Sequence, residues 1–442
     1  MRGTLLFIII LGSLPFALQQ PWIGVLMFSW ISYMNPHKYA WGAIRSFPVA
    51  MVVAVVTLIG MLATKDKQRL RKDPANLLVL GLWIIFVITT VFAFNQDDAW
   101  FQLDKVSKIL LMNFVTIILI NSQLKLRYLL LVIALSVGLI GLKGGIWVIM
   151  SGGANRVYGP DGSFLADNND LALALNMTLP LLLYLSKDEP RAWLKSLLKI
   201  CFVASFVAIV FTYSRGGFLT MVLVGCLLLI KARYKALAGM VFIIGLGAIL
   251  LIAPAKWNER MNTIETYQED GSAMGRINAW RTAVNIALAR PLIGGGFQTW
   301  TPSVYARFSP EPWNVRDVHS SYFEMLGEQG FIALGLYLML LAYALMTCTR
   351  LKWTIRRNPA LRWAQHYPDM LQTALLAYML GGAFLGRAYF DLFYHLIASI
   401  VIVKQLVMET QTAEVPAAVQ PAKSLPAYAH PAAVRAFSVT RD

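Results

Sequence analysis

Apolar runs of about 17 to 25 residues recur along almost the whole chain, each matching the thickness of a bilayer's hydrocarbon core. Lipid offers no partner for a bare backbone, so such runs fold as helices or as strands of a closed barrel. Lipid-facing strands alternate in polarity, and these runs do not. The chain is 57% hydrophobic and 14% charged, where soluble domains carry roughly 25% charge. These features predict an all-α polytopic integral membrane protein.

The loops orient it. Lys65, Lys67, Arg69, Arg71 and Lys72 crowd one short loop. Lys125 with Arg127, then Lys187 with Arg191, then Lys231, Arg233 and Lys235, then Arg350 to Arg362 follow at alternate turns. Basic loops stay cytoplasmic, so the intervening polar segments lie outside. We expect about 12 transmembrane helices, with a broken or re-entrant element near Pro21. Residues 1–253 form an N-terminal transmembrane bundle and 254–320 a large periplasmic loop containing an amphipathic helix. Residues 321–408 form the C-terminal transmembrane helices, and 409–442 a disordered cytoplasmic tail rich in Ala, Pro, Val and Gln. The run after Arg2 lacks a small-residue cleavage site and reads as a retained first helix. The net charge of +16 reflects cytoplasmic loops rather than nucleic-acid binding. The three cysteines lie in or beside apolar runs with no metal-ligand spacing.

Polar residues at the outer ends carry the candidate chemistry. In Tyr213-Ser214-Arg215-Gly216-Gly217 an Arg beside two glycines suits an anion, since the guanidinium forks onto phosphate oxygens. A lone Arg at a helix end also snorkels to headgroups. From Gly275, Ile277, Trp280, Val284 and Leu288 fall on one face of a helix that suits the membrane surface. Arg276 sits in its first turn, where a cation is unfavourable without an anionic partner. Gly294-Gly295-Gly296 reads as a flexible joint. His319 stands where the loop re-enters the membrane, and an imidazole there suits a general base, with Asp317 or Glu324 to orient it. The competing reading is a polar helix cap, with Ser320 or Ser321 as N-cap. Arg156, Tyr158, Asn168 and Asn169 form a second cluster suited to sugar hydroxyls, and Asp167 with Asp170 offers oxygen ligands to a divalent cation as the rival. The chain has no Walker loop, zinc spacing or nucleophile elbow. Chemistry at an external site without ATP needs an activated substrate, and a polyprenyl diphosphate sugar is one.

The order Tyr-Ser-Arg-Gly-Gly at 213–217, Arg276 with Trp280 and Ala283, the Gly-rich turn at 294–296, then His319 followed by Tyr322, Glu328 and Gly330 resembles the O-antigen ligase family. Tyr33-Met34-Asn35-Pro36-His37 resembles the O-glycosylation ligases associated with exosortase systems. Ser320 follows His319 where the family often has Asn. The resemblance implies a bacterial inner-membrane enzyme that moves a glycan from undecaprenyl diphosphate to an acceptor hydroxyl at the periplasmic face. It implies no metal or other cofactor, and lipid A-core or a protein as acceptor. His319 would be the base, and Arg215 and Arg276 would hold the diphosphate. Arg156, Tyr158, Asn168, Asn169, Trp280, Arg281 and Tyr322 would contact substrate. Direct attack would invert the anomeric centre. A repeat-unit polymerase or a protein ligase would use the same motifs. A transporter of the lipid-linked sugar would instead place charges at mid-membrane.

Overall fold

A computed structural model describes residues 2–40, 42–251, 253–255, 257, 261 and 271–414. The tail beyond 414 and most of the loop preceding 271 lie outside the described residues. Among those described there are α-helices, three short 3-10 turns and no strand. The helices are α1 (Arg2–Gln19), α2 (Pro21–Met34), α3 (Val49–Ala63), α4 (Pro74–Val91), α5 (Gln96–Leu119), α6 (Gln123–Ser151), α7 (Asn168–Asp188) and α8 (Ala192–Val210). They continue as α9 (Arg215–Ile230), α10 (Lys235–Leu251), α11 (Gly271–Ala289), α12 (Pro302–Phe308), α13 (Ser321–Arg357), α14 (Tyr367–Gly381) and α15 (Asp391–Glu414). Five of them, α4, α6, α8, α13 and α15, are long and apolar enough to cross a bilayer. Helices α1, α2, α3, α9 and α10 are apolar but shorter. The chain is a multi-pass membrane protein. Near Pro21 there is a helix break: Gln20 leaves helical geometry, and Pro21 opens α2, where its missing N–H is harmless.

Packing without a hydrophobic drive between helices favours small side chains at close crossings. Helix α6 follows this rule. A Cβ on its Gly141 would lie 2.1 Å from Ser205 Oγ of α8, and one on Gly145 would lie 3.0 Å from Ala204 Cβ. Helix α7 packs against α6, α8, α9 and α14 and is buried along nearly its whole length. Its buried Asn176 amide donates to Ala172 O and to Gly217 O at the start of α9.

Helix α13 is two helices in one line. Gly330 interrupts it at φ 80°, ψ −176°, a conformation that only glycine adopts readily. The break leaves carbonyls without helical partners. The Gly-rich turn supplies them: Gly295 N–H donates to Gly327 O and Gly296 N–H to Glu328 O, both at 2.8 Å. Phe331 N–H donates in turn to Pro291 O. The turn expected to be a flexible joint is thus a packed clasp. A Cβ on Gly296, at φ 80°, would lie 2.2 Å from Ala93 Cβ.

At the opposite end of the bundle, ion pairs join helix termini. Lys125 pairs with Asp66 at 2.8 Å, Arg127 with Glu189 at 2.9 Å, and Lys352 with Asp369 at 2.7 Å.

Candidate active site

The site end is assembled from loops that no single stretch of sequence contains. Its first part is the start of α9. Ser214 caps that helix, its Oγ accepting from Gly217 N–H at 3.1 Å. The same Oγ donates to Asn169 Oδ1 at 2.7 Å. Asn168 donates to Thr212 O at 2.8 Å, and Tyr213 O–H to Gly153 O at 2.9 Å. Tyr213 holds a left-handed backbone, φ 59°, a conformation that is strained for an aromatic residue. Arg156 lies over the Tyr213 ring, 5.7 Å from its centroid. The glycines after Arg215 answer to packing more than to an anion. A Cβ on Gly217 would meet Ala172 Cβ at 2.5 Å, and its N–H is committed to the cap.

Arg215 and Arg276 line one small cavity, about 40 Å³, with Asn169, Ser214, Thr220 and Phe384. Two guanidinium-bearing residues far apart in sequence thus meet at one concave surface.

Arg276 is delivered by α11. That helix packs on α13 through small residues, with Ala279, Thr282, Ala283 and Ala287 all buried. Its other face, with Ile277, Trp280, Val284 and Leu288, remains partly open, so the stripe expected to lie on the membrane is left uncovered by the protein. Trp280 turns back on the structure instead. Its ring stacks on Phe323 at 5.1 Å, and its Nε1–H donates to Val318 O at 2.9 Å. That bond pins the residue immediately before His319.

His319 has φ 45°, left-handed like Tyr213 and Gln298. Such strain in a non-glycine residue persists only where surrounding contacts impose it, and it concentrates at functional sites. Here Val318 is fully buried on one side, and α13 begins two residues later on the other. The imidazole is 38% exposed, and its Nδ1 lies 4.0 Å from Asp317 Oδ2. Burial holds the His319 pKa below the ordinary imidazole value; Asp317 pulls it up, and Arg276 and Arg387 push it down. The ring is therefore neutral near pH 7, with Arg276 from the first cavity and Asp317 from a second bearing on it.

The second cavity, about 430 Å³, is lined by Asp317, Glu324, Glu328, Arg387, Trp300 and Phe164 among others. Its organiser is Arg387, which the sequence reading passed over. Arg387 forks onto Asp170, with Nε 2.6 Å from Oδ1 and a second bond from Nη2 to Oδ2. Ser321 fixes the loop that carries it: its Oγ donates to Leu385 O and accepts from Arg387 N–H. Glu324 accepts from Ala388 N–H at 2.8 Å. Glu328 accepts from Gln298 N–H at 3.0 Å and from the Tyr389 hydroxyl at 2.8 Å. An Arg at the end of one apolar run and an Asp at the start of another were the signals available; nothing in sequence spacing pairs positions so far apart.

The other expected contacts divide. Asn169 lines the first cavity. Trp280, Asn168 and Tyr322 direct their polar atoms at main-chain carbonyls, Tyr322 at Met379 O. Tyr158 and Arg281 are exposed. Asp167 Oδ1 accepts from Asn169 N–H at the start of α7, and Asp170 is held by Arg387, so the two carboxylates are engaged separately. Among the described residues no group of three His, Cys, Asp or Glu is arranged to hold a metal.

Residues 1–189 match a family of unknown function, DUF5935. Residues 200–338 match the O-antigen ligase family. No curated protein matches the chain. The second match spans Arg215, Arg276, the Gly-rich clasp and His319, and over those residues the chain is similar to the O-antigen ligase family.

Proposed function

We propose that the chain is a membrane glycosyltransferase that moves a glycan from undecaprenyl diphosphate to an acceptor hydroxyl at the periplasmic face of the inner membrane. The alternation of basic loops, read as about twelve crossings, supports that face for the site end. The observation that carries the reading is the convergence of Arg215 and Arg276 on one cavity, with His319 near enough for the Arg276 charge to push its pKa down. Two guanidinium groups suit a diphosphate, whose negative charge grows as the sugar departs. Asp317 faces Nδ1 of His319, leaving Nε2 to take the acceptor's proton. The acceptor oxygen bonds to the anomeric carbon, the bond from that carbon to the diphosphate oxygen breaks, and the configuration inverts. No metal is required in this scheme. Lipid A-core is the acceptor we favour. A protein hydroxyl or a growing glycan is served by the same groups.

The test incubates purified full-length protein with a lipid-linked glycan and candidate acceptors, then identifies product by mass spectrometry. Arg215→Ala and Arg276→Ala should each abolish most transfer, and Arg215→Lys should restore little, because an ammonium is a point charge. Wild-type turnover by both Lys variants would refute bidentate diphosphate binding.

A further inference from the structure

One concave surface at the basic end lies apart from the residues assigned to transfer. It is a cavity of about 700 Å³ between the ends of α7, α9 and α13 and the start of α14. Its wall carries six cationic side chains, Lys187, Lys231, Arg233, Lys352, Arg356 and Arg362, against a single carboxylate, Asp369. That carboxylate is already taken, by Lys352 at 2.7 Å and Lys231 at 3.1 Å. Outside the lining, Asp188 lies 3.5 Å from His366. Among the described residues, Lys187, Arg233, Arg356 and Arg362 enter no ion pair. Cations gathered this closely repel one another. Asp188 and Asp369 offset part of that at Lys187, and the rings of Tyr184 and Tyr234 lie under Lys187 and Arg233, but six cations still face one lining carboxylate.

Three observations point to what offsets the rest. The volume falls within the usual range for a small-molecule site, roughly 300 to 1,000 Å³. Arginines dominate the uncommitted set, and their planar forks match phosphate oxygens. Apolar and aromatic side chains stand exposed beside the cations: Trp353 next to Lys352, Tyr234 next to Arg233, and Ile230 next to Lys231, at 59%, 66% and 66%. Exposed Trp and Tyr beside basic residues mark the headgroup level of a bilayer, and basic pockets between membrane helices take anionic headgroups.

We propose that this cavity binds the phosphate of an anionic ligand, either the headgroup of an acidic phospholipid or a free phosphate. Bound there, the phosphate ties α7, α9, α13 and α14 together at the end opposite the active site. The site stands whether or not the transferase reading does.

The test is native mass spectrometry on lipid-stripped, full-length protein in neutral detergent, offered phosphatidylglycerol, phosphatidylcholine or inorganic phosphate. Phosphatidylglycerol adducts should survive activation that removes phosphatidylcholine. The K187Q/R356Q/R362Q variant should lower phosphatidylglycerol occupancy at least about tenfold, since it removes three charge-assisted contacts, while K187R/R356K/R362K, which keeps the charge and loses two planar forks, should lose less than the Gln variant. Displacement of the lipid by millimolar inorganic phosphate identifies a free-phosphate site; persistence of the adduct identifies a headgroup site. Equal retention of the two lipids by wild type, with no inorganic phosphate adduct, overturns the proposal, and that comparison decides if the Gln variant does not fold. Unchanged occupancy in a folded Gln variant overturns it equally.

Discussion

The two ends of the bundle use charge in different ways. At the basic end, ion pairs such as Arg127–Glu189 and Lys352–Asp369 staple helix termini, and none of the left-handed non-glycine residues lies in those loops among the described residues. At the site end the backbone is strained. Tyr213, Gln298 and His319 all have positive φ; Tyr213 adjoins residues that line the first cavity, and Gln298 lies on the wall of the second. The basic end is built for position in the membrane; the site end holds side chains in places that relaxed loops would not reach. Substitutions should therefore separate cleanly: stability lost at one end, turnover lost at the other.

The sharpest break in that pattern comes from His319→Gln. An amide keeps a hydrogen bond but cannot take a proton, so transfer should fall by about 10²–10⁴-fold with the melting temperature unchanged. Near-normal turnover would assign the proton to Asp317 or Glu324 and make His319 a positioning residue. Gly330→Ala tests the clasp. Its Cβ would lie 2.6 Å from Pro291 O at φ 80°, and forcing a non-glycine residue there costs about 1–3 kcal/mol. A thermal-stability assay should show that loss together with reduced turnover, because the clasp sits between α11 and the second cavity. A fully stable, active variant would mean the α13 break tolerates side chains and the clasp is incidental.

Glu189→Gln probes the other end. Burial alone would raise this carboxylate's pKa, but hydrogen bonds from Arg191 and Arg127 hold it down at about 2. A depressed folded pKa means the stabilisation is present above the unfolded value of about 4.3 and is lost as pH falls through about 2. The substitution should remove that acid-dependent loss and lower stability near neutral pH by about 1.5–3 kcal/mol, with turnover intact. Lost turnover in a stable Glu189→Gln protein would erase the functional contrast between the ends.

The sequence reading reached these two ends unequally, for a physical reason. The basic end was legible because its charges are local: Lys65 to Lys72 and Arg350 to Arg362 are contiguous, and the positive-inside rule reads contiguous loops. All-helical structure followed from unbroken apolarity. At the site end, single motifs exposed Arg215, Arg276 and His319, since each is polar where its neighbours are not. What stayed hidden depends on pairing across the chain. Arg387 with Asp170 and Glu328 with Tyr389 are long-range contacts with no local signature. Glycine was also misread, because flexibility and close packing use the same residue: Gly296 and Gly217 serve proximity to Ala93 and Ala172. Trp280 was expected to touch substrate. Its ring stacks on Phe323, and its N–H holds Val318, a positioning role visible only once α11 and α13 are side by side.

The smallest expected effect concerns how Asp317 tunes the base. Burial lowers the His319 pKa, and Asp317 is the main charge opposing that shift. At 4.0 Å the Asp317–His319 contact is longer than a hydrogen bond, and Asp317 is 58% exposed, so its influence is coulombic and screened by solvent. Only neutral His319 can accept a proton, so wild-type kcat/KM should fall as pH drops through a value below the ordinary imidazole pKa of about 6.5. Asp317→Asn removes the charge that favours the imidazolium. It keeps an oxygen to accept from Val318 N–H, as Asp317 Oδ1 does at 3.0 Å. The acid limb should then move to lower pH by less than about one unit, with the plateau rate nearly unchanged. Raised salt should shrink the difference between the two profiles, because an exposed charge is screened. Coincident profiles at low salt would show that Asp317 shapes the loop without setting the charge on His319. A lower plateau with an unmoved limb would make Asp317 a positioning residue, aligning the ring so that Nε2 faces the acceptor.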